Sequence, residues 1–245
     1  MIDRLVPDAE RIQVVRGRPS SLDGDRAVLD AVTDQVAATG VPAVRAWTPH
    51  RQVAFGRRDT RADGYELACQ RAEARGYPPI ERSVGGRAVA YAGSTVAFAA
   101  VIPTTEADPR QGLDARYEAA TTGVVGALRS LGVPARRGEP DASFCPGAHS
   151  VQAHGKISGI AQRVRRDAAV VSGIVVVDAH EELAAVLDAV YGALDVPFDP
   201  TSVGSVARAG APTPPDRVVD ALYDSFCGEV RRASIDAASL LDSDV

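Results

Sequence analysis

Residues 150–178 read SVQAHGKISGIAQRVRRDAAVVSGIVVVD. Three β-forming runs lie in this stretch: Ser150–Ala153, Lys156–Val164 and Ala169–Val177. His154-Gly155 and Arg166-Asp167 stand at the joints, where tight hairpin turns are needed. The pattern predicts an antiparallel meander. Upstream, strand patterns at Ile12–Val15, Ala43–Trp47, Gln52–Phe55, Ile80–Ser83, Ala88–Tyr91 and Thr95–Ile102 mix with helical ones without strict alternation. Ser20 or Ser21 caps a helix through about Ala38, with Leu22, Ala27, Leu29, Val32 and Val36 near one face. Further helices are expected at Tyr65–Arg75, Ala115–Leu131, Glu181–Tyr191 and Asp216–Arg232. Strands in hairpins with helices between groups predict an α+β fold, a mixed, largely antiparallel sheet with packed helices. Ala209–Pro215 reads as a linker, and the small-residue, acidic stretch Ala233–Val245 as a fraying tail.

The composition narrows the function. The chain has 245 residues, is 45% hydrophobic and 24% charged, and carries a net charge of −5. That fits a soluble globular protein with a substantial core and argues against nucleic-acid binding. No apolar run is long enough for a membrane span, and Met1–Glu10 has no apolar core of a signal peptide. Three widely spaced cysteines, Cys69, Cys145 and Cys227, speak against a disulfide framework or a zinc site and for the cytoplasm. No spacing of His, Asp or Glu suggests a metal. Of the 27 basic residues, a single one is lysine, Lys156.

Three segments carry candidate chemistry. In Arg82-Ser-Val-Gly-Gly-Arg-Ala-Val89 the paired glycines let the backbone close around a ligand, although a plain Gly-Gly hairpin turn has the same spelling. The segment has neither the Gly-Lys-Ser/Thr of a Walker loop nor the spacing of a dinucleotide fingerprint. In Ser143-Phe-Cys-Pro-Gly147 the proline restricts the cysteine backbone and the glycine permits a sharp turn, a loop able to present a nucleophilic sulfur. The alternative is a buried, inert cysteine, the reading given to Cys69 and Cys227. In Gly155-Lys-Ile-Ser-Gly-Ile-Ala-Gln162 a lysine enters a strand of small residues, Ser158, Gly159 and Ala161, which leave room for a ligand. The ammonium there is either a solvated hairpin end or a ligand for a carbonyl or phosphate oxygen. His149 and His154 flank this region as possible proton shuttles or ordinary turn residues.

In this order the segments resemble the lipoate–protein ligase and octanoyltransferase family, whose catalytic-domain fold is shared with biotin–protein ligases. Arg82–Val89 looks like the family's Arg-Arg-Ser-Gly-Gly-x-Ala-Val loop. Gly155–Arg163 looks like its Gly-Lys strand, and Trp47-Thr-Pro-His-Arg-Gln-Val-Ala-Phe-Gly56 like its early Trp-x-Pro…Gly segment. The likeness spans roughly Arg11 to Asp178. Phe144-Cys-Pro-Gly147 is similar to the branch that transfers octanoyl groups from the glycine-cleavage H protein. Val84, in place of the usual serine, and Arg87, in place of a small residue, depart from the pattern.

The resemblance implies one catalytic domain over residues 1–208, with 209–245 as linker, final helix and tail packed on it. It implies an acyltransferase in lipoate metabolism that needs no cofactor. Cys145 would carry an octanoyl or lipoyl thioester, Lys156 would hold the acyl carbonyl, and His149 or His154 would serve proton transfer. Arg82, Gly85, Gly86, Arg87, Ala88, Ser158, Gly159 and Ala161 would line the substrate. The partners implied are lipoyl domains of the glycine-cleavage H protein and of 2-oxoacid dehydrogenase acyltransferase subunits. Two alternatives stand beside it. An ATP- and magnesium-dependent ligase would form lipoyl-AMP, with Arg87 on a phosphate, and a non-catalytic binder would hold lipoyl domains.

Overall fold

The computed structural model describes residues 1–82, 85–104 and 111–241. The expected strand end at Ser83, the departure at Val84 and the last residues of the tail lie outside them. The strands are β1 (Arg11–Arg16), β2 (Ala43–Trp47), β3 (Gln52–Phe55), β4 (Pro79–Glu81), β5 (Val89–Tyr91) and β6 (Thr95–Pro103). They continue with β7 (Arg136–Arg137), β8 (Ser150–Gln152), β9 (Lys156–Val164), β10 (Ala168–Val176) and β11 (Arg231–Asp236). The helices are α1 (Ile2–Leu5), α2 (Leu22–Thr39), α3 (Tyr65–Glu73), α4 (Leu113–Ser130), α5 (His180–Ala193) and α6 (Pro215–Cys227).

The fold is α+β. An eight-stranded sheet runs β11-β1-β2-β6-β10-β9-β8-β7, and a three-stranded sheet runs β4-β3-β5. In the large sheet β11, β1 and β2 are parallel, and every pairing from β2–β6 onward is antiparallel. The meander expected over residues 150–178 forms as β8-β9-β10. Its turns use positive φ at His154 (52°) and Gly155 (112°) and a backbone bond from Arg165 N to Ala168 O of 2.8 Å.

Strand alternation sends side chains into different cores. Val171 and Val175 of β10 join the core under α4 and α6, whereas Ile174 and Val176 pack with the small sheet and α5. On the same side as the small sheet, α2 lays Val28, Val32 and Val36 over Val15, Ala43 and Val101. Ser21 starts α2 by accepting from Gly24 N at 3.0 Å, and Gly40 ends it at φ 69°. The large sheet is thus covered on both faces, and the small sheet stands beside α2 over β6, β10 and β9. The space left there forms the site.

The C-terminal segment differs from its expected form. The last helix stops at Cys227, with Gly228 at its cap, and does not reach Arg232. Arg231–Asp236 is a strand that adds in parallel to β1, where the end of the helix and the start of a fraying tail were expected. It is an exposed edge strand with charged ends, so it carries no apolar alternation to betray it. Among the described residues no helix is long and apolar enough to cross a membrane.

Candidate active site

A cleft of about 260 Å³ opens between α2, the small sheet and the face of β6, β10 and β9. Its wall is largely apolar and includes Ala54, Ile80, Val89, Ala97, Phe98 and Ile174. Its floor is made of small residues of the meander, among them Gly159, Ala161, Ser172 and Gly173. Gly173 has to be glycine, because a Cβ there would stand 2.5 Å from both Gly159 O and a ring carbon of Phe98. The wall also has charged stretches, with Arg26, Asp30, Arg163 and Arg165 among the lining residues. Asp25 accepts from Arg45 Nη2 at 2.5 Å and from the Trp47 indole at 3.0 Å, and Arg45 lies 3.9 Å over that indole ring.

Cys145 lines this cleft from the loop between β7 and β8. Its φ is 41°, in the left-handed region that a residue with a side chain adopts only when held there. Its amide donates to Tyr191 Oη at 2.6 Å, and that hydroxyl in turn donates to Ala88 O at 3.0 Å. The sulfur meets two donors, Arg82 Nη2 and the Arg87 amide, each at 3.3 Å. Both bring positive charge density to Sγ. Arg82 also donates to Arg87 O at 2.6 Å, which fixes the turn that aims the Arg87 amide.

Burial works against the Arg82 charge, but Cys145 and Tyr91 more than offset it and raise its pKa. Burial pushes the Tyr191 phenol well above its ordinary value, so it stays protonated and donates. Two glycines make room for the arrangement. A Cβ on Gly86 (φ 95°) would lie 2.7 Å from Sγ, and one on Gly56 would lie 2.0 Å from Gly86 O.

Lys156 is placed differently from its expected role. It is 0% exposed, and its ammonium donates to Phe144 O and Cys145 O at 2.9 Å each. It also reaches Glu139 Oε1 and Oε2 at 2.9 and 3.0 Å. An ammonium has three N–H donors, and the two carbonyls and the carboxylate occupy them. The lysine therefore supports the cysteine loop from beneath and, in this geometry, has no donor left for an acyl carbonyl. Burial lowers its pKa, and Glu139 works in the opposite direction. Glu139 also takes the Ser143 hydroxyl. Gly159 leaves space for the stem, since a Cβ there would come within 3.3 Å of Lys156 Cε.

Other expected site residues divide. Arg82, His149, Gly159 and Ala161 line the cleft. The His149 ring stacks on Tyr117, with centroids 3.8 Å apart and planes within 8°. His154 is exposed in its hairpin turn. Gly86 abuts the sulfur, Gly85 lies open at the surface, and Ala88 contributes its carbonyl to Tyr191. The Arg87 guanidinium pairs with Asp59 at 3.2 Å, and that carboxylate is 0% exposed, so this arginine is already engaged. Ser158 is buried in the sheet, and its Oγ makes no hydrogen bond among the described residues. Among the described residues no cluster of His, Cys, Asp and Glu fits a metal ion.

Tyr191, Glu139 and Asp59 escape sequence reasoning. Tyr191 sits on the apolar face of an amphipathic helix and reads as core. Glu139 and Asp59 lie in loops without periodicity, and the signal that marks Glu139 is an acid six residues before a loop cysteine.

The family model for the lipoyl protein ligase A/B catalytic domain matches residues 25–227. An octanoyl-GcvH:protein N-octanoyltransferase of Kyrpidia tusciae is 31% identical over 150 residues, covering 61% of this chain and 51% of its own. The octanoyltransferase LipM of the same organism is 30% identical over 183 residues, 66% of each chain. The chain spans about half the length of the octanoyl-GcvH transferases it matches. Among solved structures, a lipoate-protein ligase A bound with ATP superposes with a TM-score of 0.74 at 22% identity, over 96% of this chain and 95% of that one. That likeness bears on the fold. The family match runs from the helix that roofs the cleft, through the cysteine loop and the lysine strand, to the last helix, and by it the chain belongs to the lipoyl protein ligase A/B catalytic domain family.

Proposed function

We propose that this chain is a protein acyltransferase that moves an octanoyl or lipoyl group, through a thioester on Cys145, onto a lysine of a lipoyl domain. One observation carries the reading: the Cys145 sulfur lines an apolar cleft with a guanidinium and a backbone amide directed at it. The relatives that bear octanoyltransferase names support the transfer of an octanoyl group.

Atoms and charge balance at each step. The Cys145 thiolate attacks the acyl carbonyl of an octanoyl-lysine amide on the donor. The carbon–nitrogen bond breaks, the donor lysine leaves with a proton, and the thioester remains. The neutral amine of the acceptor lysine then attacks the thioester, gives a proton back to His149 and releases the thiolate. One amide replaces another, so the exchange is nearly neutral in energy and draws on no ATP. Arg82 and the Arg87 amide, the donors nearest the sulfur, serve the developing oxyanion. His149, in the cleft wall, hands the leaving amine its proton. Lys156 acts as a positioning residue under the loop. Burying the six methylenes of an octanoyl chain, at about 0.8 kcal/mol each, supplies about 5 kcal/mol of acyl binding.

The donor and acceptor are lipoyl-domain proteins, the glycine-cleavage H protein and the acyltransferase subunits of 2-oxoacid dehydrogenases. The nucleophile must stay a free thiol, which suits the reducing cytoplasm. The single lysine is fully buried, so the described surface offers no lysine for self-acylation. The two cations that the sequence offers a ligase for ATP, Arg87 and Lys156, are held by Asp59 and Glu139, and of the arginines lining the cleft Arg165 is paired with Asp30 and Asp34.

Intact-mass measurement tests the reading. Mixing with octanoylated H protein should add one octanoyl group, removable by hydroxylamine and missing in Cys145→Ala. Full activity of Cys145→Ala, or pyrophosphate release dependent on octanoate and ATP, would overturn it.

A further inference from the structure

Tyr191 lies in α5, far in sequence from both catalytic loops, and is 0% exposed. Its hydroxyl has one hydrogen to give and lone pairs to accept with, and both capacities are used on main-chain atoms. It gives the hydrogen to Ala88 O, in the arm that follows the paired glycines, and accepts the Cys145 amide hydrogen. The two arms meet again at the sulfur, where the Arg87 amide reaches Sγ at 3.3 Å. A closed ring results: hydroxyl, Ala88, Arg87 amide, sulfur, Cys145 amide and back to the hydroxyl. Tyr191 and Ala88 are both 0% exposed, so the loss of the oxygen would leave the buried Ala88 carbonyl without this donor and the Cys145 amide without its acceptor.

Cys145 needs such a hold, because its backbone sits at φ 41°, where a side chain is disfavoured. Lys156 grips the carbonyls of Phe144 and Cys145, which fixes one side of the peptide. Tyr191 grips the amide of Cys145, which fixes the other. The phenol suits this role, since burial keeps it protonated and its ring rests against Phe198 at 5.0 Å between centroids.

We propose that Tyr191 is a positioning residue for acyl transfer, its single hydroxyl clasping the cysteine loop to the glycine loop so that Sγ stays against the Arg87 amide. The inference deepens the transferase reading and rests on it. The hydroxyl touches neither the sulfur nor the acyl slot. Its loss should therefore slow the step at the sulfur and leave acyl binding alone. A displacement of the nucleophile by about 1 Å is worth roughly a hundredfold in rate.

The test uses Tyr191→Phe in the full chain, which removes one atom and keeps the ring. Single-turnover acylation by octanoylated H protein should fall about a hundredfold, with KM for the donor within about twofold of wild type. Alkylation of Cys145 by iodoacetamide should change in rate as well. Should the phenylalanine variant not fold, 4-aminophenylalanine at 191 keeps the donor to Ala88 but accepts poorly from the Cys145 amide, and the same slowing is expected. Acylation and alkylation rates within threefold of wild type in the folded variant would overturn the clasp, as would a loss appearing wholly in KM. A wild-type protein that forms no adduct would instead refute the transferase reading, and the alkylation rates would then decide the clasp by themselves.

Discussion

Lys156→Met removes the ammonium beneath the cysteine loop and keeps the stem's volume. Taking one member from a buried ion pair costs about 3–5 kcal/mol. Glu139, the carboxylate left behind, is 24% exposed, so water relieves part of the loss and about 3 kcal/mol is expected. Glu139→Gln strands the other charge, an ammonium that is 0% exposed, and about 5 kcal/mol is expected near neutral pH.

The two variants differ in pH dependence. Burial already lowers the Lys156 pKa in the native protein, with Glu139 as the chief opposing influence. Without Glu139 the folded state binds the proton less well than the unfolded chain does, so stability rises with pH toward the lysine range. The Glu139→Gln deficit should therefore shrink between pH 7 and pH 10, and the Lys156→Met deficit should not. In the double variant no charge is stranded, and it should be about 2 kcal/mol more stable than the sum of the singles predicts. Its acylation rate should stay as low as that of Lys156→Met, since the Phe144 and Cys145 carbonyls still lack a donor.

Urea unfolding at both pH values and single-turnover acylation measure these quantities. Lys156→Arg belongs to the same series. It overfills the space beside Gly159 by an amount worth about 1–3 kcal/mol, and should fold yet lose most acyl transfer. Wild-type acylation by Lys156→Met, recovery of the rate in the double variant, or additivity within about 0.5 kcal/mol would refute the loop-support role.

Two further predictions concern the sulfur and the slot. Gly86→Ala places a methyl 2.7 Å from Sγ at a φ of 95°, so acylation should drop about a hundredfold, read by the mass adduct. Ala161→Leu adds three carbons to the cleft floor, so an octanoyl donor should lose about 2.4 kcal/mol of binding, roughly fiftyfold in KM, while a butanoyl donor changes less than threefold.

The parts of this fold that can be read from the sequence are those with a period. β2, β3 and β9 fall on their expected residues, and β6 and β10 end within one residue of theirs, because short strand-forming runs bounded by turn residues leave little choice. β11 has no such period. Arg231-Arg-Ala-Ser-Ile-Asp236 is polar at an exposed edge, and only its register with β1, more than two hundred residues away in sequence, makes it a strand. The short β7, Arg136-Arg137, is hidden for the same reason.

The site follows a related rule. The positions of Cys145, Lys156 and Gly86 are legible because each sits in a segment whose local shape is constrained by glycine or proline. The role of Lys156 is not legible, because a role depends on where the nitrogen points. A lone lysine opening a strand of small residues suggests an ammonium facing substrate, and the small residues do make the cleft floor. The stem, however, runs beneath the cysteine loop to meet Glu139 and two carbonyls. This placement gives the preference for lysine over arginine a different cause. Two carbonyl oxygens and a carboxylate converge on one nitrogen within 3.0 Å in a space with 0% exposure. A compact tetrahedral cation satisfies all three there, whereas a planar guanidinium spreads its donors too widely to do so.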